Sequence, residues 1–224
     1  TDVLEGWETP GETRMLIATS DDGLEWERTG EVFIDQVGAP DAIVFDDKIF
    51  IYYMSHADGL EDVIVAAVSE NDGETWVHKL VHIDIPDGKA ADPAVAVLDD
   101  GTLRMYMMSH FVGDGQGMTR SAVSEDGINF YLDDGVRVEE VGNGQLPIAP
   151  AVILIDDVWH MYTLTGSTSV TSHLTSDDGL VFEEQDPLDV NFIFATPLQF
   201  DDVRRFYGNV AVVGEGQSFA LASV

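Results

Sequence analysis

Apolar residues fall along this chain in short runs, each closed by an acidic or glycine-containing turn, and two such patterns alternate. The first begins Pro40-Asp41-Ala42-Ile43-Val44-Phe45-Asp46-Asp47 and runs on to Tyr52-Tyr53-Met54-Ser55-His56. It returns as Asp92-Pro93-Ala94-Val95 through Asp99-Asp100 to Tyr106-Met107-Met108-Ser109-His110, and again from Ala149-Pro150-Ala151-Val152 through Asp156-Asp157 to Tyr162. A shorter copy joins Thr196-Pro197-Leu198 to Phe206-Tyr207-Gly208. The second pattern carries Asp-Gly followed by an aromatic: Ser20-Asp21-Asp22-Gly23 before Trp26, Ser69 to Gly73 before Trp76, Ser124-Glu125-Asp126-Gly127 before Phe130, and Ser176-Asp177-Asp178-Gly179 before Phe182. Asp-Gly between two β-prone runs is a strong hairpin signal, because a type I′ turn needs positive φ at both central residues.

Together the patterns predict four strands per unit, a to d, with turns at Asp-Asp (a to b) and Asp-Gly (c to d). A repeat of about fifty residues built this way is the signature of a β-propeller. Three units are complete, from about Gly38 to Asp189. The N-terminal part supplies only strands c and d, around Met15 to Val32, and the C-terminal part supplies a, b and a c-like run, Ser218 to Val224. The expected architecture is therefore all-β: a five-bladed propeller of four-stranded antiparallel blades with an incomplete first blade, occupying residues 1–224 as one domain. A four-bladed ring closed by the two termini is the alternative.

This topology sorts the residues into two faces. The Asp-Asp and Asp-Gly turns share one face and recur in every unit, which marks them as structural. The opposite face carries the starts of the a strands and the ends of the b strands. Residues there that differ between repeats are the functional candidates. Asp41 and Asp92 stand at the heads of neighbouring a strands, two positions apart when aligned on the Asp-Asp turn, so strand alternation puts them on one side. Two carboxylates on one channel raise each other's pKa and suit acid–base chemistry or cation binding. His56 and His110 end successive b strands, and two imidazoles with an Asp could also hold a divalent metal. Arg120 opens the next c strand, where it can pair with Asp92 or with a substrate carboxylate. Gln145, Asn143 and Asn209 offer the neutral hydrogen bonds that sugars need, and Trp7 and Phe111 offer rings for stacking.

Composition narrows the classes. The 224 residues carry a net charge of −32 with 45% hydrophobic content, and the only lysines are Lys48, Lys79 and Lys89. Nucleic acid and anionic membranes need a basic face and are excluded as partners. No apolar run approaches the ~20 residues of a membrane-spanning helix. The acidity fits a solvated surface in a salty, halophilic or marine, setting. With no Cys there are no disulfides or thiolate metal sites. No EF-hand loop is present, which leaves a calcium ion in the central channel as the one cofactor to consider.

At this point the residues resemble a known family. The phrases look like the five-bladed propeller glycoside hydrolases of families 43, 32 and their relatives, the arabinanase, xylosidase and fructosidase clan. Gly38-Ala39-Pro40-Asp41 resembles that clan's Trp-Ala-Pro-Asp, and Ala91-Asp92-Pro93 resembles its Ile-Asp-Pro, whose Asp tunes the general acid. Ser20 to Trp26 is similar to its Ser-x-Asp-Gly-x-x-Trp hairpin. The resemblance implies a glycan substrate at the central channel and an extracellular or periplasmic setting; a salt-accumulating cytoplasm is the alternative. The clan places its general acid in a phrase like Ile-Glu-Ala-Pro, whereas this chain has Pro147-Ile148-Ala149-Pro150, with Ile148 in the Glu position. The a strand that would carry the base is absent from the sequence. Glu139 or Glu140 could supply an acid from the preceding connection, or Asp41 and Asp92 could form a remodelled pair. A sialidase reading rests only on Ser69 to Trp76, a structural turn. The alternatives to an enzyme are a non-catalytic glycan- or ligand-binding propeller and an interaction scaffold, in which an oligomer or another chain completes the open blade.

Overall fold

The computed structural model describes residues 13–60, 63–85, 88–111, 118–138, 147–165, 170–186, 193–200, 203–214 and 216–223, and the side chains of all of these but 88, 110, 111, 165, 170, 193–195, 200, 204 and 209–223. Regular structure within them is entirely β, in five sheets. Sheet I holds β1 (Arg14–Thr19) and β2 (Glu27–Asp35). Sheet II runs β3 (Val37–Phe45), β4 (Lys48–Ser55), β5 (Val63–Ser69) and β6 (Val77–Leu80). After the short β7 (His82–Ile83) come β8 (Gly88–Val97), β9 (Leu103–Phe111), β10 (Met118–Ser124) and β11 (Asn129–Leu132) of sheet III. Sheet IV is β12 (Pro147–Ile155), β13 (Val158–Thr165), β14 (Val170–Ser176) and β15 (Glu183–Glu184). Sheet V is β16 (Ile193–Phe200), β17 (Val203–Gly214) and β18 (Gly216–Ser223).

Neighbours within each unit are antiparallel, as the hairpin pattern requires. Among the described residues sheets I and V are separate, with β1 paired to β2 and β17 to β16 and β18. One pairing is not foreshadowed by the sequence. The link leaving sheet II forms β7, which pairs in parallel with β11 of sheet III, and Asp84 accepts the Leu132 amide at 2.7 Å.

The turn chemistry differs from the sequence expectation. At Asp22-Gly23, Asp126-Gly127 and Asp178-Gly179 only the glycine has positive φ, between 70° and 74°. These turns are closed by side chains rather than by type I′ geometry. Ser124 Oγ accepts the Gly127 amide at 2.9 Å, and the Asp126 carboxylate accepts the amides of Ile128 and Asn129, both at 2.8 Å. Burial works against that carboxylate's charge, but the amide donors outweigh it and hold its pKa down at about 2. The doubly positive geometry is found at the fourth Asp-Gly turn, with Asp72 and Gly73 at 54° and 86°, and at a-to-b turns, with Asp46 and Asp47 at 50° and 55° and Asp156 and Asp157 at 50° and 64°. Asp tolerates this region better than most residues, because its short polar side chain bonds locally.

A single contact recurs between sheets. Tyr52 on β4 donates its hydroxyl to the Gly127 carbonyl of sheet III at 2.8 Å, and Tyr106 on β9 does the same to Gly179 of sheet IV at 2.9 Å. Tyr207 on β17 donates to Gly23 of sheet I at 2.6 Å, joining the last sheet to the first. The aromatic that follows each turn meets the same tyrosine edge-on: Phe130 on Tyr52, Phe182 on Tyr106, Trp26 on Tyr207. The buried clusters lie at these seams, one around Tyr52, Met105, Met107 and Phe130, another around Tyr106, Trp159, Met161 and Phe182.

Gly179 is obligatory twice over. Its φ is +70°, and a Cβ there would stand 2.6 Å from the Tyr106 hydroxyl. Tyr106→Phe leaves a buried carbonyl unpaired and is expected to cost about 1–2 kcal/mol. Gly179→Ala adds a steric clash and backbone strain and is expected to cost about 2–4 kcal/mol. Urea unfolding of both variants checks the order; a Tyr106→Phe chain as stable as wild type would show that the contact stabilises nothing.

Candidate functional site

Each a strand is broken near its head. Pairing with the b strand skips between Gly38 and Asp41 on β3, Ala91 and Ala94 on β8, Ile148 and Ala151 on β12, and Ile193 and Thr196 on β16. In the first three, a residue with positive φ precedes a proline: Ala39 at 46°, Asp92 at 52° and Ala149 at 51°. Proline cannot donate to the ladder and disfavours the helical region for the residue before it, so this dipeptide pushes the strand out of register. A non-glycine residue held at positive φ costs on the order of 1–2 kcal/mol. Three such residues lie around one opening.

That opening is a cavity of about 190 Å³, lined by residues 39–42, 92–95, 149–153 and 196–198 from four successive a strands. The lining is mostly Ala, Pro, Val, Ile and Leu, and its polar side chains are Asp41, Asp92 and Thr196. It is smaller than the ~300–1,000 Å³ of pockets for drug-sized ligands, so it takes one small moiety rather than an extended chain.

Asp41 stands opposite Tyr52, in the position that Ala94, Ala151 and Thr196 hold opposite Tyr106, Tyr162 and Tyr207. A carboxylate thus replaces a small residue at one place in the ring. Its Oδ2 accepts the amide of Val95 on the neighbouring a strand at 2.7 Å. Asp41 is half-buried: solvent reaches it at the cavity wall while protein surrounds its other sides. That desolvation raises its pKa to about 6, against the opposing pull of the Val95 and Ala42 amides. Asp41 therefore has a structural duty, linking sheets II and III, as well as a proton affinity suited to acid–base work.

Asp92 lines the same cavity by a different route from the one the sequence suggests. It sits inside the bulge, where strand alternation is interrupted, and Ala94 takes the register position equivalent to Asp41. The positive φ of Asp92, not a two-residue offset, places it at the cavity. Ile148 precedes the bulge of β12 and is half-buried; its carbonyl accepts the Thr163 hydroxyl at 2.6 Å. No acid stands at that position.

The remaining candidates divide. His56 lies just past β4, where its amide donates to the Gln36 carbonyl at 2.8 Å. Its ring covers Gly38, at which a Cβ would come within 2.9 Å of Nε2, so a glycine there makes room for the imidazole beside the head of β3. Arg120 does not line the cavity; its Nη1 donates to the Gly135 carbonyl at 3.4 Å, on the outer side of sheet III. Its strand, β10, is third from the axial edge of the sheet. The backbones of His110 and Asn209 lie in β9 and β17, and their side chains fall outside the described residues, as do Gln145, Asn143, Trp7, Glu139 and Glu140 entirely. Thr196 is a lining residue that sequence inspection passes over. Its signal was present, as the shorter fourth copy of the a-strand phrase. Among the described residues no group of three His, Asp or Glu is placed to hold a metal ion. The two cavity carboxylates alone fall short of the six to eight oxygens that calcium takes.

The sequence matches no protein-family model and no curated protein. Solved structures do match. A thermostable family-43 glycoside hydrolase superposes with a TM-score of 0.73 at 11% identity, over 93% of this chain and 81% of that one. A family 117 glycoside hydrolase of the marine bacterium Zobellia galactanivorans gives 0.74 at 16% identity, over 94% and 69%. The α-L-arabinanase of Cellvibrio cellulosa gives 0.69 at 15%, over 93% and 84%. At these identities the likeness establishes the architecture, and the chain has the all-β propeller fold of this group of glycoside hydrolases.

Proposed function

We propose that this chain is a carbohydrate-active propeller that takes one sugar unit of a glycan at the axial cavity. The observation that carries the reading is the cavity itself: a small, largely apolar space at the heads of four a strands, with Asp41 and Asp92 as its two carboxylates. Apolar walls suit the C–H faces of a sugar ring, and a few fixed polar groups suit its hydroxyls. The strained residues around the opening, Asp92 among them, support the same site, since such strain concentrates where ligands are held. A glycan ligand fits a setting outside the cytoplasm.

In the catalytic form of this reading, Asp41 carries the proton for the leaving oxygen and Asp92 serves as the second carboxylate on the other face of the bond. Glycoside hydrolysis needs one carboxyl protonated and one charged, and burial biases Asp41 toward the protonated form. His56, His110, Gln145 and Asn209 would contact the parts of the glycan beyond the cavity. A second, non-catalytic reading is favoured by two observations: Ile148 cannot act as an acid, and Asp41 is engaged by the Val95 amide. In that reading the same cavity grips a glycan without cleaving it.

Two measurements follow. The folded pKa of Asp41 lies above its ordinary 3.8, at about 6, so its contribution to stability is full below pH 3.8 and is lost as pH rises through about 6. Asp41→Asn keeps an oxygen acceptor for the Val95 amide and removes that loss. At pH 7 it is expected to be more stable than wild type by on the order of 1–2 kcal/mol, discounting the full two-unit shift for solvent contact, with the gap closing below pH 4. Unfolding curves at pH 3.5 and 7 decide; a gap that does not change with pH would mean Asp41 is not desolvated. For the function, a panel of aryl-glycosides and plant or algal oligosaccharides is screened in high salt for turnover and thermal shift. Turnover that Asp92→Asn abolishes establishes the enzyme; a thermal shift without turnover, lost in Asp92→Asn, establishes the binding form. Neither signal with any glycan would sink the carbohydrate reading.

A further inference from the structure

On a chain of net charge −32 with only 10 basic residues, positive charge gathers at the seam between sheets III and IV. Arg104 on β9 and Arg137, in the segment that follows β11, are both buried, at 8% and 3% exposure. Arg104, Asp133, Tyr106 and Asp178 all lie within electrostatic reach of Arg137. Arg137 spends Nη2 on the Asp134 carbonyl, and its Nε and Nη1 have no acceptor among the described residues. Arg104 gives Nη1 to the Asp178 carbonyl at 3.2 Å. Its Nε lies 3.1 Å from Asp133 Oδ2, an ion pair by distance, yet the N–H is not aimed at that oxygen and also lacks an acceptor.

The carboxylates nearby do not meet these donors. Asp133 is shared between Arg104 and the Ser121 hydroxyl, which donates to it at 2.5 Å. The Asp178 carboxylate is turned to its own loop, accepting the Leu180 amide at 2.7 Å and the Val181 amide at 3.1 Å. Asp133 and Asp178 both supply negative charge here, yet three guanidinium nitrogens, Arg104 Nε and Arg137 Nε and Nη1, have no acceptor among the described residues. A buried charge without a partner costs several kcal/mol, and each unmet buried donor adds to that. Such an arrangement persists when something neutralises it. Tyr106, Trp159 and Phe182 pack closely beside it, which favours a small anion over an organic one.

We propose that Arg137 and Arg104 hold a halide ion, chloride in ordinary buffers, between sheets III and IV. The ion would accept N–H groups from both guanidinium groups. It would act as a structural anion on the outer side of the seam, separate from the axial cavity, and the inference stands whether or not that cavity takes a glycan.

The test is thermal unfolding of the full chain at constant ionic strength, exchanging sodium gluconate for sodium chloride or bromide. The expected result is a saturable rise in Tm, reaching roughly 5–10 °C at a hundredfold excess over the dissociation constant. Arg137→Met is expected to abolish the halide-specific rise while leaving the response to total ionic strength. An identical or non-saturating response in wild type and Arg137→Met overturns the site. If Arg137→Met does not fold, crystals of the wild type soaked in bromide decide. Anomalous density within hydrogen-bond reach of Arg137 Nε supports the proposal; water alone at that position, or bromide only elsewhere, overturns it.

Discussion

The hydrogen bond from a b-strand tyrosine to the carbonyl of a glycine in the next sheet sets the geometry of everything else in this protein. Sheets packed face to face through apolar side chains alone can slide, because hydrophobic contact has no direction. A hydroxyl buried at 0% exposure and committed to one carbonyl does have direction. Tyr52, Tyr106 and Tyr207 peg three seams at the same height. Each peg explains two further sequence choices. The acceptor is a glycine with positive φ in all three, and at Gly127 and Gly179 the tyrosine hydroxyl lies too close for a Cβ. An aromatic must follow three residues on, because it meets the tyrosine edge-on.

With the seams pegged, the heads of the a strands can deviate. The prolines at 40, 93 and 150 break the ladder, and the residue before each is forced to positive φ. These bulges turn side chains toward the axis that regular alternation would send elsewhere. The site is thus made by departures from regular strand structure, held in place by the regular contacts below it. Asp41 belongs to both systems: it lines the cavity, and it ties β3 to the Val95 amide of β8.

The repeat is legible in the sequence because each strand, turn and tyrosine obeys local rules of period and turn chemistry. Strand positions around Met15 to Val32 and Ser218 to Val224 follow from the same pattern. The cavity is legible only in part. Asp41 and Asp92 stand out as acids at strand heads, but the alignment that pairs them assumes unbroken alternation, which the bulge at Asp92 removes. For Arg120 the sequence shows which end of a strand the residue occupies, and the sheet order adds how far that strand lies from the axis. Three of the four Asp-Gly turns mislead in a smaller way, Asp72-Gly73 being the exception with positive φ at both residues. The composition reads as a type I′ hairpin, whereas Ser124 and Asp126 side chains close the loop by capping amides. The seam between sheets III and IV is not legible at all, since Arg104 and Arg137 are 33 positions apart and meet only through the packing of two units.

The hairpin turns have a consequence for the molecule as a body in solution. Asp46, Asp47, Asp99, Asp100, Asp156 and Asp157, with Asp22, Asp126 and Asp178, all project from the end of the strands opposite the cavity. That end of the molecule therefore carries a dense set of negative charges. Two copies meeting turn side to turn side repel, and an anionic polymer drifting past is deflected from that end.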